Sequence, residues 1–148
     1  MGATPQNDPA TRELTELMDE YCRVLSMGEA PFHREEAEHL YKRDDDFTAF
    51  DLAPPNTGYH GWAAYAEAWY KIMNKYAHFE MTLYDDLRVF HRGDVAWTSA
   101  SFNVKGRSVA GDSFDKDGRV SLVWVREDGR WLITHEHVSS PRVTATDK

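Results

Sequence analysis

The chain has 148 residues, of which 41% are hydrophobic and 13% aromatic, a composition typical of one folded domain rather than of a disordered segment. Its 25 acidic residues outnumber its 17 basic ones, and the net charge of -8 disfavours binding to nucleic acid or to an anionic membrane surface. The single cysteine, Cys22, excludes an intramolecular disulfide and is typical of a reducing compartment. The sequence has no apolar run long enough to span a membrane and no secretory leader pattern, so we expect a soluble cytoplasmic protein.

The first half of the chain has mainly the apolar periodicity of helices. Asp8 is predicted to cap the first helix, because its side chain can accept hydrogen bonds from the free amides of the first turn. The predicted elements are, in chain order, a helix from Pro9 that Gly28 ends, a helix over Arg34–Tyr41, a strand over Phe47–Leu52, a loop over Ala53–Gly61 and a helix from Trp62 to Tyr76.

The second half alternates apolar and polar residues, which is the period of strands. The predicted elements are a long strand from Phe79 to Val89, a turn at His91–Asp94, a strand over Val95–Val104, a polar connection over Lys105–Gly118, and two strands over Arg119–Arg126 and Arg130–Val138. Helices followed by an antiparallel meander predict an α+β fold, with one curved antiparallel sheet wrapped over the helices. We expect a single domain over residues 9–141, with disordered ends at residues 1–8 and 142–148.

Two histidines near the end of the chain, His135 and His137, raise the question of a metal site. In a regular strand both point to one side, which they share with Trp131 and Ile133. Two imidazoles can begin a metal site, but a third protein ligand is required and no spacing brings one near. We therefore expect no metal and no cofactor, and a packed or interface role for this face.

The segment Asp128–Ser139 resembles the closing hairpin of the SnoaL-like proteins, and Gly58–Trp62 resembles the segment that opens their third helix. The similarity extends over nearly the whole chain, which is identified as a member of the nuclear-transport-factor-2-like superfamily. The resemblance implies a cone-shaped α+β roll, with a pocket between three helices and the concave face of the sheet. Members include polyketide cyclases, ketosteroid isomerases, scytalone dehydratases and non-catalytic association domains, so the fold leaves the function open.

The resemblance to the ketosteroid isomerases implies catalytic roles for two residues. The segment Tyr21–Glu29 is similar to the helix that carries their oxyanion-donating tyrosine, and Asp45–Asp51 is similar to the segment that ends in their general base. Tyr21 would then donate a hydrogen bond to an enolate, and Asp51 would remove the proton.

The same resemblance places further pocket residues. The tyrosines that support the oxyanion donor correspond to Tyr41 and, as a departure, to Trp69. The second oxyanion donor of the family, a protonated aspartate, corresponds to Ser121 or Leu122, where no acid occurs, so Ser121 is expected to assist in its place. The aromatic residues that open and line the third helix complete the predicted ligand contacts: Tyr59, Trp62, Tyr65 and Trp69.

Strand parity completes the expected site. By resemblance, the concave face of the last strand carries Thr134, Glu136 and Val138, which leaves the two histidines on the convex face unless a bulge reverses the assignment. Glu136 is then a second acid–base candidate. The convex face is the expected homodimer interface, as in other members of the superfamily.

Two hypotheses of function follow. In the first, the protein is a cofactor-independent isomerase, cyclase or dehydratase that abstracts a proton from a compact, mostly apolar carbonyl compound. In the alternative, it is a non-catalytic ligand-binding or association module, which the missing acid near Ser121 and the tryptophan at position 69 favour. A metal-dependent enzyme that uses the two histidines is the third and weakest hypothesis.

Overall fold

The computed structural model describes residues 8–28, 32 and 34–141. The predicted disordered ends, residues 1–8 and 142–148, lie outside these ranges except for Asp8. The helices and strands are, in chain order, α1 Pro9–Leu25, α2 Arg34–Glu38, β1 Thr48–Phe50, β2 Tyr59–His60, α3 Trp62–Met73, β3 Tyr76–Leu83, β4 Arg88–Arg92, β5 Val95–Ser108, β6 Ser113–Glu127 and β7 Arg130–Ser139.

The strands form one seven-stranded sheet in the order β2-β1-β7-β6-β5-β3, and β4 also pairs with β5. Neighbouring strands run antiparallel, except that β1 lies parallel to β7. The predicted antiparallel sheet is therefore mixed at this edge. The parallel pair matters for the site, because it places the end of β1 beside the end of β7.

The helices bury one face each against the inner face of this sheet. The Asp8 side chain accepts a hydrogen bond from the Ala10 amide at 2.8 Å and so caps α1, as the sequence predicts. The buried residues of α1 and α3 recur at helical spacing: Leu14, Met18, Tyr21, Val24 and Leu25 in α1, and Trp62, Tyr65, Ala66, Trp69 and Met73 in α3. Burial of these stripes between helix and sheet holds the two layers together.

Each predicted helix ends earlier than expected, because the following residues join the sheet. Helix α1 ends at Leu25 rather than at Gly28, since Met27 forms a bridge with Phe79 of β3. Helix α2 similarly stops before Tyr41, which bridges to β7.

Two predictions in the second half were wrong. The long strand from Phe79 is divided into β3 and β4, and at the break Asp86 accepts the Ser101 amide at 2.9 Å in place of a neighbouring strand. The segment Lys105–Gly118 is not a loose connection, since β5 and β6 continue through it as a long hairpin. Backbone pairing stabilises such a polar hairpin, and Asn103 adds a side-chain hydrogen bond to Asp115 across the two strands at 2.7 Å.

A β-bulge in β7 decides which side chains face the helices. Val123 pairs with His135 and Trp124 pairs with Ile133, so Thr134 is an extra residue in β7. Trp131 and Ile133 before the bulge, and Glu136 after it, are all buried. The expectation that the histidines share a face with Trp131 and Ile133 was therefore wrong.

Candidate active site

A cavity of about 360 Å³ opens between α1, α3 and the inner face of the sheet. Most of its wall is apolar or aromatic, with Leu25 from α1, Met73 from α3 and Phe102 from β5 as examples. Two carboxyl groups, those of Asp51 and Glu136, also line it. An apolar cavity with a few convergent polar groups is the usual form of a small-molecule site.

Glu136 lies on β7 with a side chain that is 3% exposed. Its Oε1 accepts a hydrogen bond from the Tyr41 hydroxyl at 2.6 Å, and its Oε2 accepts one from the Tyr65 hydroxyl at 2.5 Å. Burial raises the pKa of Glu136 to about 7, because the hydrogen bonds from the tyrosines offset the loss of solvation only in part. Glu136 therefore changes its protonation state near neutral pH.

Three tyrosines from three parts of the chain surround this carboxyl group. Tyr21 of α1, Tyr41 after α2 and Tyr65 of α3 are each no more than 2% exposed. Burial raises the pKa of all three phenols well above the ordinary range, and the neighbouring charge of Glu136 raises it further. The phenols therefore stay protonated and act as hydrogen-bond donors at neutral pH.

Asp51 follows β1 and reaches the same group of side chains. Its Oδ2 lies 3.3 Å from the Tyr65 hydroxyl, and its Oδ1 accepts the Leu52 amide at 2.6 Å. Burial raises the pKa of Asp51, while these two hydrogen bonds lower it. Asp51 is half-buried, so it is the more accessible of the two acids.

The Tyr65 hydroxyl links the two acids, since it lies within hydrogen-bond distance of both. A phenol has one proton to donate. Both contacts are satisfied together when Tyr65 donates to Asp51 and a protonated Glu136 donates to the Tyr65 oxygen. This arrangement is an acid–tyrosine–acid chain that ends at the cavity wall.

The structure brings together six of the eleven predicted site residues at the cavity wall. These are Tyr21, Asp51, Tyr65, Trp69, Glu136 and Val138. Tyr41 lies behind the wall, where it contacts Glu136. The link through Tyr65 was not predicted, because the spacing of residues 51, 65 and 136 carries no signal for it.

The other four predicted contacts lie away from the cavity, and for these the predicted placement was wrong. Ser121 is exposed and pairs with His137 on the outer face of the sheet. Thr134 is the bulge residue. Tyr59 and Trp62 lie behind the lining, where the Tyr59 ring contacts Tyr65 and the Trp62 ring contacts Tyr41.

The two histidines lie on the outer face, on either side of Phe50. The ring of His135 lies 5.9 Å from that of Phe50, and the ring of His137 lies 5.3 Å from it. His135 Nδ1 also forms a hydrogen bond with the Thr48 hydroxyl at 2.7 Å. Within the ranges that the structure describes, no group of three or more His, Cys, Asp or Glu side chains could hold a metal ion.

None of the helices in the described parts of the chain is long and apolar enough to cross a membrane.

Solved structures with the same fold include proteins of different descriptions. A nuclear transport factor 2-like superfamily protein from Salmonella enterica is 19% identical, with a TM-score of 0.76 over 90% of this chain and 92% of that one. A candidate scytalone dehydratase from Novosphingobium aromaticivorans is 20% identical, with a TM-score of 0.74 over 95% and 89%. The association domain of the kinase CaMKII from C. elegans is 17% identical, with a TM-score of 0.62 over 91% and 99%. At these identities the likeness shows the fold alone.

The family follows from the sequence itself. No curated protein matches the chain. The family model of the SnoaL-like domain matches residues 15–143, which include the C-terminal part of α1, the residues that line the cavity and the whole sheet. The chain therefore belongs to the SnoaL-like domain family.

Proposed function

We propose that this protein is a cofactor-independent acid–base catalyst that moves a proton within a compact, mostly apolar carbonyl compound. The observation that carries the proposal is the chain of Asp51, Tyr65 and Glu136 at the wall of an apolar cavity. Two carboxyl groups with different accessibility can divide the roles of base and acid between them. Burial raises the pKa of both, which suits proton transfer near neutral pH.

Asp51 acts as the base in this proposal. Its carboxylate removes a proton from the carbon next to the carbonyl group, and the electron pair of the broken C–H bond forms the enolate. The protonated Asp51 then returns the proton to another carbon of the same molecule, which gives an isomer. Desolvation in the cavity strengthens Asp51 as a base, because it disfavours the charged form.

Glu136 acts as the acid that stabilises the enolate oxygen, together with its tyrosines. The family resemblance places a protonated acid at Ser121 or Leu122, and neither residue is acidic. Glu136 pairs directly with Leu122 on the neighbouring strand, so it brings a carboxyl group to the same level of the sheet. A pKa of about 7 leaves Glu136 largely protonated below neutral pH, where it can donate to the oxygen directly or through Tyr65.

Hydrogen–deuterium exchange in 2-tetralone, a compact apolar ketone, tests this mechanism. We expect the protein to accelerate exchange next to the carbonyl group in D₂O, measured by NMR. Replacement of Asp51 by Asn should reduce this acceleration by about 100-fold or more, the usual contribution of a general base. Asp46→Asn changes an exposed acid of the same segment and should leave the rate unchanged. Equal rates in wild type and Asp51→Asn would refute the role of Asp51.

A second candidate function, self-association, is favoured by the outer face of the sheet. The rings of Phe90 and Trp97 stack there with centroids 5.6 Å apart, although these side chains are 42% and 41% exposed. Exposed aromatic pairs of this kind are typical of protein interfaces. We propose that this face forms a homodimer. Sedimentation equilibrium should show a dimer that Trp97→Lys dissociates and that Val109→Lys, at the far hairpin tip, does not.

A further inference from the structure

One cation, Lys116, lines the cavity with an exposed side chain, so its charge lies at the solvent-facing edge of the cavity, and the proposed chemistry does not use it. Among the described residues that line the cavity, no other Lys, Arg or His is present. Lys116 lies on β6 opposite Val104 of β5, next to the aromatic residue Phe114.

Strand alternation separates Lys116 from the acids beside it in the sequence. Asp115 and Asp117 point to the other face of β6, where Asn103 donates to Asp115 at 2.7 Å and Tyr84 donates to Asp117 at 2.6 Å. No described acidic side chain lies within ion-pair distance of the Lys116 ammonium group. Lys116 is therefore a positive charge at the cavity that the described part of the chain leaves unpaired.

The cavity wall near Lys116 is aromatic. The ring of Phe114 lies 5.2 Å from that of Tyr76 and 6.1 Å from that of Phe79. All three residues line the cavity. A lysine beside such a wall can pair with an anionic group on a flat apolar ligand, while the rings contact the ligand's body.

Glu136 lies at the other end of the cavity from Lys116. Glu136 pairs with Leu122, six residues along β6 from Lys116, an arc of about 20 Å at 3.3 Å per residue. The cavity therefore has a buried acid, Glu136, at one end and an exposed, unpaired cation, Lys116, at the other.

We infer that the ligand is an aromatic or polycyclic carbonyl compound with a carboxylate at the end away from the reacting carbonyl, and that Lys116 binds this carboxylate. The inference rests on the proposed function, and it names the substrate class of the same cavity. Lys116 is a specificity-determining residue in this arrangement. It orients the ligand so that the carbonyl end lies at Asp51 and Glu136.

Two matched probes test the inference: 6-hydroxy-2-naphthoate, which has a hydroxyl group and a carboxylate at opposite ends, and 2-naphthol, which has the hydroxyl group alone. We expect isothermal titration calorimetry of wild type to give about two- to fivefold tighter binding of the naphthoate, the effect of an exposed ion pair. Lys116→Met should remove this preference and leave 2-naphthol binding unchanged, while Lys116→Arg should keep it. Lys105→Met removes an exposed lysine from the outer face of β5 and should change neither affinity.

The outcomes separate this inference from the proposed function. If each probe binds Lys116→Met as tightly as it binds wild type, the role of Lys116 is overturned. The proposed function is not affected by that result. Failure of both probes to bind wild type at millimolar concentration would overturn the role of Lys116 and contradict the proposed small-molecule site as well. If Lys116→Met does not fold, the salt dependence in wild type decides, because added salt should weaken only the naphthoate.

Discussion

The replacement of Glu136 by Gln gives the sharpest test of the buried site, because the effect depends on pH in a defined direction. Burial raises the pKa of Glu136 from the ordinary 4.5 to about 7. Between these two values the unfolded chain loses the proton of Glu136 and the folded protein keeps it. The free energy of unfolding therefore falls as pH rises from 4.5 to 7, and becomes constant above that range.

The magnitude follows from the two pKa values. One pH unit corresponds to about 1.36 kcal/mol, so the rise from 4.5 to about 7 destabilises the ionised folded state by about 3 kcal/mol. Glutamine carries no charge at any pH, and its amide group can still form hydrogen bonds with Tyr41 and Tyr65. The stability of Glu136→Gln relative to wild type should therefore increase by about 3 kcal/mol between pH 4.5 and pH 8.

Urea denaturation of both proteins at half-unit pH steps measures this difference. Glu67→Gln is a suitable control, because Glu67 is an exposed acid of α3 with a side chain that is 73% exposed. The comparison with the control removes the general effect of net charge. A stability difference between Glu136→Gln and wild type that stays constant across this pH range would refute the pKa argument.

Two further substitutions test the surroundings of the site. Tyr41→Phe removes the 2.6 Å hydrogen bond to Glu136, so the pKa of Glu136 should rise further. The loss of stability caused by this substitution should therefore be larger at pH 8 than at pH 5, by about 1.5–3 kcal/mol. An equal loss at both pH values in urea titrations would contradict this. Gly106→Ala places a methyl group 2.0 Å from the His78 carbonyl oxygen, so the backbone must shift at a cost of about 1–3 kcal/mol. Gly28→Ala is the control for thermal unfolding, because its methyl group meets no atom within 4 Å.

Much of the fold could be predicted from periodicity, because the buried faces of α1, α3 and the central strands follow their ideal repeats. The errors lie where pairing of the backbone, rather than burial, determines the structure. The hairpin arms over Lys105–Gly118 are strands because β5 and β6 continue to pair, although the residues are polar. The hydropathy pattern of the sequence does not indicate such pairing.

The site could be predicted in part. Glu136 followed from the parity of the last strand by resemblance, and Asp51 followed from the similarity of its segment. The bulge at Thr134 has no compositional signal, since threonine is an ordinary strand residue. Without that bulge, Ile133 and Glu136 could not face the same side. The position of Ser121 was wrong for a related reason, since its neighbours Val120 and Leu122 take the inner face.

A buried carboxyl group at position 136 is what the proposed acid–base function requires, in addition to the hydrogen bonds that it accepts from Tyr41 and Tyr65. The ionised group costs about 3 kcal/mol, a large share of the 5–15 kcal/mol that stabilises a typical domain. Glutamine could form hydrogen bonds with the same tyrosines without a charge. It cannot take up and release a proton near neutral pH beside an apolar cavity. An association module has no need for that property, whereas an acid–base catalyst depends on it.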